Sequence, residues 1–403
     1  MAEEAVQHAQ VLPPPSERAD AWGWARRNLF SNWWNTLLTF LALALIYAIL
    51  RPALTWLLRE AQWEVVLVNL RLLMTGRYPV AELWRAWLVL HTLAAVVGLS
   101  WGVWVRARWY IGAAVPAVLL SMAALLPVTV ETRTQLGLMA VIAVLGYFFG
   151  RLGGKAVRRS VTAAWVLYFP LTLLFINGVG GAESVMPVVS TNLWGGLLLT
   201  FVLTVVGIVF SFPFGVLLAL GRRSNMPLVR LLCVGYIEII RGVPLITILF
   251  MASTMVPLFL PTGVNLDRVL RAMIGITMFS AAYLAENVRG GLQAIPRGQF
   301  EAAQAVGLNG ALTMGLVILP QALRLVIPVL VGQFISLFKD TTLVATIGLL
   351  DLLGIARSVL AQPQFIQFQH EVLIFITMVY WVFSFVLSLI SQRLEEALGV
   401  GQR

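Results

Sequence analysis

The sequence predicts an all-α polytopic membrane protein with about ten transmembrane helices. Of its 403 residues, 60% are hydrophobic and only 11% are charged, which is the composition of an integral membrane protein. Apolar runs of about 20 residues, long enough to cross about 30 Å of hydrocarbon, recur along the chain. The net charge of +10 comes from basic residues scattered between these runs and not gathered on one face, which argues against nucleic-acid binding.

The first element in chain order is an amino-terminal segment, residues 1–33. It lacks the apolar core of a signal peptide, so we interpret it as a cytoplasmic tail. The predicted spans follow at about 34–57, 87–105, 110–130, 134–150, 161–177, 193–220, 228–260, 270–286, 314–338 and 371–391. Trp33, Trp84 and Trp109 lie at the edges of these runs, where the aromatic belts of membrane proteins occur.

Basic residues set the predicted orientation. Those at 26–27, 106–108, 151–159 and 222–230 fall in alternate connections, which are therefore cytoplasmic, and both termini lie inside. The connection 58–86 is the exception, because it would be periplasmic and yet carries four arginines. Within it, Val65–Met74 is too short to span, and we expect it to lie along the membrane interface.

A change in composition near residues 184–192 divides the chain. We predict an amino-terminal extension of about five transmembrane helices over 34–189, a second five-helix domain over 190–395, and a cytoplasmic tail over 396–403. The apolar stretch 343–360 contains Asp351, Gly354 and Arg357. It is therefore better interpreted as a partial or re-entrant helix than as a span.

Motifs for catalysis or metal binding are missing from the sequence. The nearest match to a phosphate-binding loop, Gly153–Ala156, lacks the first glycine and the hydroxyl residue. Cys233 is the single cysteine, and the three histidines show no ligand spacing. We predict a chain that is not an enzyme, with no metal site and no cofactor of its own.

The loop between the eighth and ninth spans contains the most informative motif. Pro296 and Gly298 end the preceding helix, and an acidic start at Glu301 favours a new one, because carboxylates suit the positive end of a helix dipole. Ala302 and Ala303 keep that helix slim, and Gly307 can end it in the left-handed conformation. The loop is therefore predicted to hold a short cytoplasmic helix that docks onto another protein.

This loop resembles the EAA loop of the membrane subunits of ATP-binding-cassette importers. The match consists of Glu301-Ala302-Ala303, three residues, Gly307, nine residues, the aliphatic Val317, one residue, and Leu319-Pro320. Six fixed identities at fixed spacing arise by chance in roughly one such chain in 10⁴.

Further motifs resemble the polar amino-acid (HisM-like) branch of these importers, over about residues 190–395. They are Arg241-Gly242-Val243-Pro244-Leu245, Ile295–Gln299, Leu319–Arg324 and Lys339-Asp340-Thr341-Thr342-Leu343. The branch often has other residues at Val243, Thr247, Gly332 and Thr342. These departures and the long extension resemble the general L-amino-acid permeases of the Aap/Bzt type, specifically the M or C subunit.

The resemblance implies a type I importer core at 190–395 in the bacterial inner membrane. It implies a second, homologous permease subunit, two ATPase subunits that bind the ATP and Mg²⁺, and a periplasmic amino-acid binding protein. Membrane lipid surrounds the chain, and no nucleic acid is involved. The coupling segment Glu301, Ala302, Ala303, Gly307 and Leu308 would dock into the ATPase.

Two pairs of charged residues each have more than one possible role. Glu238 and Arg241 are three residues apart on one helical face, so they could pair and hold the break at Gly242 and Pro244, or they could contact substrate or a gate. Lys339 and Asp340 should lie at the periplasmic end, as a helix-terminal pair or as a contact for the binding protein. An ion-coupled secondary transporter, an importer of another small solute, and a membrane-bound enzyme or sensor are the competing functional classes.

Overall fold

The structure, a computed structural model, describes residues 21–104, 109–125, 128–181, 183–261 and 263–398. Within these residues the secondary structure is helical apart from three isolated β-bridges. The outer parts of the predicted tails, residues 1–20 and 399–403, lie outside the described residues, as do the basic residues at 106 and 108. The described residues form two compact units that divide between Gln62 and Trp63.

The first unit contains α1 (Ala21–Asn28), α2 (Trp33–Thr55) and a π-helical turn at Trp56–Glu60. The side chain of Asn32 caps α2 by accepting a hydrogen bond from the backbone N–H of Asn35 at 2.8 Å. None of the residues of α2 is buried, although the helix is strongly apolar. That combination suits a span whose side chains face lipid.

The second unit begins with eight short or long helical elements. They are α3 (Glu64–Val68), α4 (Leu70–Thr75), a 3₁₀ turn (Val80–Glu82), α5 (Leu83–Trp104), α6 (Trp109–Leu125), α7 (Val130–Leu152), α8 (Lys155–Asn177) and a 3₁₀ turn (Thr191–Leu193). In this part, α5 packs against α7 and α8, and α6 packs against α7. We call the four helices α5–α8 the inserted bundle.

The rest of the second unit is the part in which most motifs lie. Its α-helices are α9 (Gly196–Arg222), α10 (Pro227–Arg241), α11 (Leu245–Phe250), α12 (Val256–Phe259), α13 (Arg268–Ala294), α14 (Arg297–Ala305), α15 (Gly310–Leu312), α16 (Leu319–Asp340), α17 (Leu352–Leu360) and α18 (Gln369–Leu398). Met251–Met255 and Thr313–Ile318 are π-helical, and Thr341–Ile347 is 3₁₀. Helix α13 packs against α9 and α16, which places it at the centre of this part.

The predicted all-α polytopic fold class is confirmed. Among the described residues, 8 helices are long and apolar enough to cross a membrane, and a bent pair, Pro227–Arg241 with Leu245–Phe259, adds a ninth. The predicted third span, 110–130, corresponds to α6, which has only 17 residues. The stretch 343–360 forms the end of a 3₁₀ turn and the nine-residue α17, a partial helix as expected.

Residues Val65–Met74 form α3 and α4, and Val65, Val66 and Leu73 are buried in one apolar cluster with residues of α17 and α18. Their predicted position along the membrane interface stays a prediction. Gly76 then forms an antiparallel bridge with Trp194, just before α9. The chain therefore enters and leaves the inserted bundle at neighbouring points, and residues 64–76 pack with the carboxyl-terminal helices. The predicted domain boundaries stay a prediction.

Arg85 accounts for part of the unusual charge in this connection. Its side chain is fully buried, donates to the carbonyl oxygen of Pro187 at 2.9 Å and forms an ion pair with Glu82 at 2.7 Å. Nearby, the buried Tyr78 hydroxyl donates to the carbonyl oxygen of Ile176 at 2.7 Å. Arg85 thus ties the first helix of the inserted bundle to the segment that leaves it, and it is not a loop charge.

Candidate coupling site

The predicted short helix is present as α14, with nine residues from Arg297 to Ala305. The expected break at Gly298 and acidic start at Glu301 were wrong, because the helix begins directly after Pro296 and Glu301 lies at its middle. Pro296 precedes it in an extended conformation, with φ −60° and ψ 144°, and separates it from α13. At the other end, the N–H of Gly307 donates to Gln304 at 2.9 Å and the N–H of Leu308 donates to Ala303 at 3.1 Å. These two bonds form a Schellman motif.

Gly307 carries the conformation that this motif requires. Its φ is +84°, in the left-handed region, and a Cβ added there would meet no atom within 4 Å. The predicted left-handed termination by Gly307 is confirmed. Because the surroundings are open, the backbone conformation is what favours glycine, and packing does not.

Helix α14 has one buried and one open face. Ala303 is 4% exposed, and Phe300 packs against an apolar cluster that includes Leu292 and Ile318. On the opposite face of the helix, Glu301 and its neighbours are exposed. Val306, directly after the helix, is 76% exposed. Among the described residues Glu301 takes part in no ion pair. The open face therefore offers a carboxylate and small apolar side chains to a partner.

A side-chain hydrogen bond joins α14 to the next membrane helix. The amide nitrogen of Gln321 donates to the side-chain oxygen of Gln299 at 3.1 Å and to the carbonyl oxygen of Val317 at 2.9 Å. Residues Gly310–Ile347 form one continuous helical run that contains Leu319 and Pro320, as predicted. The π-helical turn Thr313–Ile318 directly precedes Pro320, which cannot donate a backbone hydrogen bond.

The predicted break in the seventh span is confirmed. Helix α10 ends at Arg241, with Gly242 as its C-cap, and α11 begins after Pro244. The two segments are bent by 106° at this break. The N–H of Gly242 donates to the carbonyl oxygen of Glu238 at 3.0 Å, so the last turn of α10 closes before the chain changes direction.

Glu238 and Arg241 pair with other residues and not with each other. Glu286 of α13 is the centre of the charged cluster: it pairs with Arg222 at 3.4 Å, with Arg241 at 3.6 Å and closely with Arg289. Arg222 also pairs with Glu238 at 3.0 Å. The cluster joins α9, α10 and α13. No sequence pattern predicts the pair of Arg222 and Glu286, because these residues are 64 positions apart.

The remaining candidate residues lie at the other end of α16. Lys339 is exposed, Asp340 is half-buried, and Thr341 is fully buried with its hydroxyl donating to the carbonyl oxygen of Phe338 at 2.7 Å. Nothing in the structure brings these three residues near α14. Their predicted contact with a binding protein stays a prediction.

A buried carboxylate beyond this end was not predicted as a site. Asp351 is fully buried and caps α17, accepting from the N–H of Gly354 at 2.9 Å. Burial raises the pKa of Asp351 to about 6, against the opposing effect of the two backbone N–H groups that it accepts from and of the Tyr380 hydroxyl. Asp351 therefore has a structural role in holding α17.

Comparison with known proteins places these features in a family. A family model described as "Binding-protein-dependent transport system inner membrane component" matches residues 211–400. The chain is 38% identical to the inner membrane amino-acid ABC transporter permease protein YhdY of Escherichia coli, over 97% of this chain and 96% of that protein. It is 36% identical to the glutamate/glutamine/aspartate/asparagine transport system permease protein BztC of Rhodobacter capsulatus, over 96% and 95% respectively.

A shorter relative shows that half of the chain matches a nearly complete permease. The probable glutamine ABC transporter permease protein GlnP of Bacillus subtilis is 34% identical over 50% of this chain and 92% of its own length. The family match at 211–400 lies in the carboxyl-terminal half of the chain.

Proposed function

The chain belongs to the inner membrane components of binding-protein-dependent transport systems, as an amino-acid ABC transporter permease, and from this premise we propose how it is coupled to its ATPase. In our proposal, α14 docks on the ATPase, and closure of the ATPase on ATP moves α13 and α16. The exposed face of α14, closed off by the Schellman turn at Gly307, is the observation that supports this most strongly.

Helix α14 is connected to two of the membrane helices. It follows α13 directly through Ile295 and Pro296, and it is bonded to α16 through Gln299 and Gln321. On its buried face, Phe300 packs against the same apolar cluster as these two helices. A force applied to the exposed face is therefore transmitted to α13 and α16 together, which suits alternating access by rigid-body movement.

The charged cluster around Glu286 is proposed to hold one state of this movement. It joins α10, which ends at the 106° break, to α9 and α13. Several partly exposed arginines pair with the carboxylate of Glu286. When the helices move, this carboxylate can exchange one arginine for another, so that no charge is left buried without a partner. Glu238, Arg241, Gly242 and Pro244 are thus proposed as parts of a gate and not as substrate ligands.

Membership in this family implies an ATPase and a substrate-binding protein as partners. We propose two ATPase subunits, a homologous second permease subunit and a periplasmic binding protein, with both termini of this chain in the cytoplasm. The permease itself is proposed to be non-catalytic, with ATP and Mg²⁺ bound by the ATPase. The work of hydrolysis then reaches this chain only through mechanical contacts such as that of α14.

The proposed cargo is a broad set of L-amino acids. The name of the Rhodobacter relative covers acidic amino acids and their amides, and that protein matches this chain over nearly its whole length. A zwitterionic substrate needs an acceptor for its ammonium group and a donor for its carboxylate. We propose that the binding protein supplies much of the selectivity.

Cross-linking tests the proposed contact directly. In a Cys233→Ala background, Val306→Cys places a thiol on the exposed face of α14, and Ala303→Cys places one on the buried face of the same helix. In membranes that contain the complete transporter, we expect a short bifunctional reagent to join position 306 to the ATPase and position 303 to give no such product. Equal cross-linking at both positions, or none at 306, would contradict the docking of α14.

A further inference from the structure

The cytoplasmic end of the inserted bundle is strongly basic. Between residues 83 and 181 the sequence contains one acidic residue, Glu131, which begins α7 at the opposite end of the bundle. Four described basic residues lie at the end where α7 finishes and α8 begins: Arg151, Lys155, Arg158 and Arg159. The rule that basic residues accumulate in cytoplasmic loops explains their sign.

A shallow groove, open to the outside, continues from these charges along α8. It has a volume of about 620 Å³ and is lined by exposed residues: Lys155, Arg158, Arg159, Thr162, Ala163 and Val166. These residues recur every three or four positions on one face of the helix, and from first to last they extend about 16 Å along its axis. The groove is therefore cationic at the cytoplasmic end and apolar further along.

The apolar part of the groove is open to the outside of the protein. Ala163 is exposed and Val166 is 70% exposed. The hydroxyl of Thr162 donates to the carbonyl oxygen of Arg158 at 3.1 Å, which leaves the methyl group as its free surface. Along this face the helix offers an apolar surface at the depth of lipid acyl chains.

The three cations of the groove have no carboxylate partner among the described residues. They occupy the first turns of α8, where positive charge opposes the helix dipole, so they do not stabilise the helix. An anion beside them would satisfy both the side chains and this end of the dipole. A ligand that also fills the apolar part must carry hydrocarbon behind its negative group.

We propose that the groove of α8 binds an anionic phospholipid of the cytoplasmic leaflet. Lys155, Arg158 and Arg159 hold the phosphate-bearing headgroup, and Ala163 with Val166 contacts the upper part of an acyl chain. A free phosphate would use the cations alone, whereas the lipid uses the whole length of the groove. This site lies outside the coupling region, and its existence does not depend on how α14 works.

Lipid titration of the purified full-length protein in phosphatidylcholine nanodiscs tests this site, with phosphatidylglycerol as the probe and native mass spectrometry as the readout. We expect phosphatidylglycerol to be retained in preference to phosphatidylcholine. The variant K155Q/R158Q/R159Q should bind it at least about tenfold more weakly, since each basic residue near an anionic lipid contributes. The charge-conserving variant K155R/R158K/R159K should retain most of the affinity.

Two comparisons distinguish this site from a general charge effect. The variant R26Q/R230Q/R393Q removes three exposed arginines from other helices predicted to end in the cytoplasm and should leave binding unchanged. Ala163→Trp keeps every charge, and hence the predicted topology, but fills the apolar part, so it should weaken lipid binding even where the triple glutamine variant fails to insert. Soluble glycerol 3-phosphate should not displace the lipid.

Several results would overturn the proposal. Equal retention of the two lipids by the wild-type protein would show no anionic site. Equal loss of binding in the two triple glutamine variants would show a diffuse charge effect. Unchanged binding in A163W, or displacement by glycerol 3-phosphate, would show a phosphate site without a lipid.

Discussion

Glycine serves opposite purposes in the inserted bundle and at α14. In the contact between α5 and α7, a Cβ added to Gly102 would overlap the carbonyl oxygen of Tyr147, and one added to Gly150 would overlap that of Leu99. At the end of α14, Gly307 has a φ of +84° and nothing within 4 Å of an added Cβ. The first two glycines permit close packing of two backbones, and the third permits a turn.

This difference separates stability from function in the two regions. The bundle helices approach closely because small residues recur at four-residue spacing, as in other membrane helix pairs. Helix α14 packs with one face only and leaves the other to a partner. Substitutions in the α5–α7 contact should therefore reduce folding, whereas substitutions on the open side of α14 should reduce coupling in a protein that still folds.

The largest effect on stability is expected for Gly102→Leu. The new side chain must push apart the backbones of α5 and α7, because the obstructing atoms are backbone atoms that cannot rotate away. We expect a loss of about 3 kcal/mol or more in the free energy of unfolding, together with less folded protein in the membrane. Fluorescence-detected size-exclusion chromatography and thermal unfolding in detergent measure both quantities.

The matched control lies on the partner helix of the same pair. Gly137 is in α7, and an added Cβ there meets no atom within 4 Å. Gly137→Leu should change the unfolding temperature by no more than a degree or two, since the site is open and leucine favours helices. If both leucine variants were equally unstable, close packing would not be the reason for glycine in this contact.

The carboxylates also lie in either buried or exposed sites. The buried carboxylate of Asp351 is expected to make the stability of the protein depend on pH. The pKa of Asp351 is raised by burial to about 6, above the 3.8 of a free carboxyl group. The folded state therefore binds this proton more tightly than the unfolded state. The contribution of this carboxyl group to the free energy of unfolding is most favourable below about pH 4. It is lost as the pH rises towards 6, which changes that free energy by about 3 kcal/mol.

Asp351→Asn isolates this contribution, because asparagine also caps helices and its amide does not titrate. Thermal unfolding of the two proteins between pH 4 and pH 7 should show a difference that changes along that interval and levels off above pH 6. A constant difference across the whole interval would mean that Asp351 is not the titrating group.

A smaller effect separates Glu286 from Glu301. Glu286→Gln removes the charge that three arginines share, and since the cluster is only partly buried we expect a loss of about 1–2 kcal/mol in unfolding free energy. Glu301→Gln should leave the unfolding free energy unchanged, because Glu301 is exposed and has no ion-pair partner among the described residues. Its effect should appear only in uptake driven by ATP. The reverse order of stabilities would contradict the assignment of the two carboxylates.

The sequence was sufficient where the signal is local. Apolar runs predicted a helix for each of the ten spans, the glycine and proline at 242 and 244 predicted the bend, and Gly307 predicted the turn after α14. Contacts between segments that are distant in the sequence were not predicted. The short helices at 64–75 are covered by residues near 355 and 372, and two of the three partners of Glu286 come from other helices. Neither of these contacts leaves a periodic pattern in the sequence.

Gly307→Val tests whether the left-handed turn after α14 couples ATP hydrolysis to uptake. Valine at this position is disfavoured by the left-handed backbone and meets no other atom, so the strain of about 1–2 kcal/mol is confined to the end of α14. Gly310→Val, at the first position of the next helix with an ordinary φ and equally open surroundings, is the control. The quantities to compare are ATP hydrolysis and amino-acid uptake by the complete transporter in proteoliposomes. We expect the Gly307 variant to insert normally and to hydrolyse ATP with little uptake, and the Gly310 variant to hydrolyse ATP and take up amino acids normally. Normal uptake per ATP hydrolysed in the Gly307 variant would contradict this coupling role.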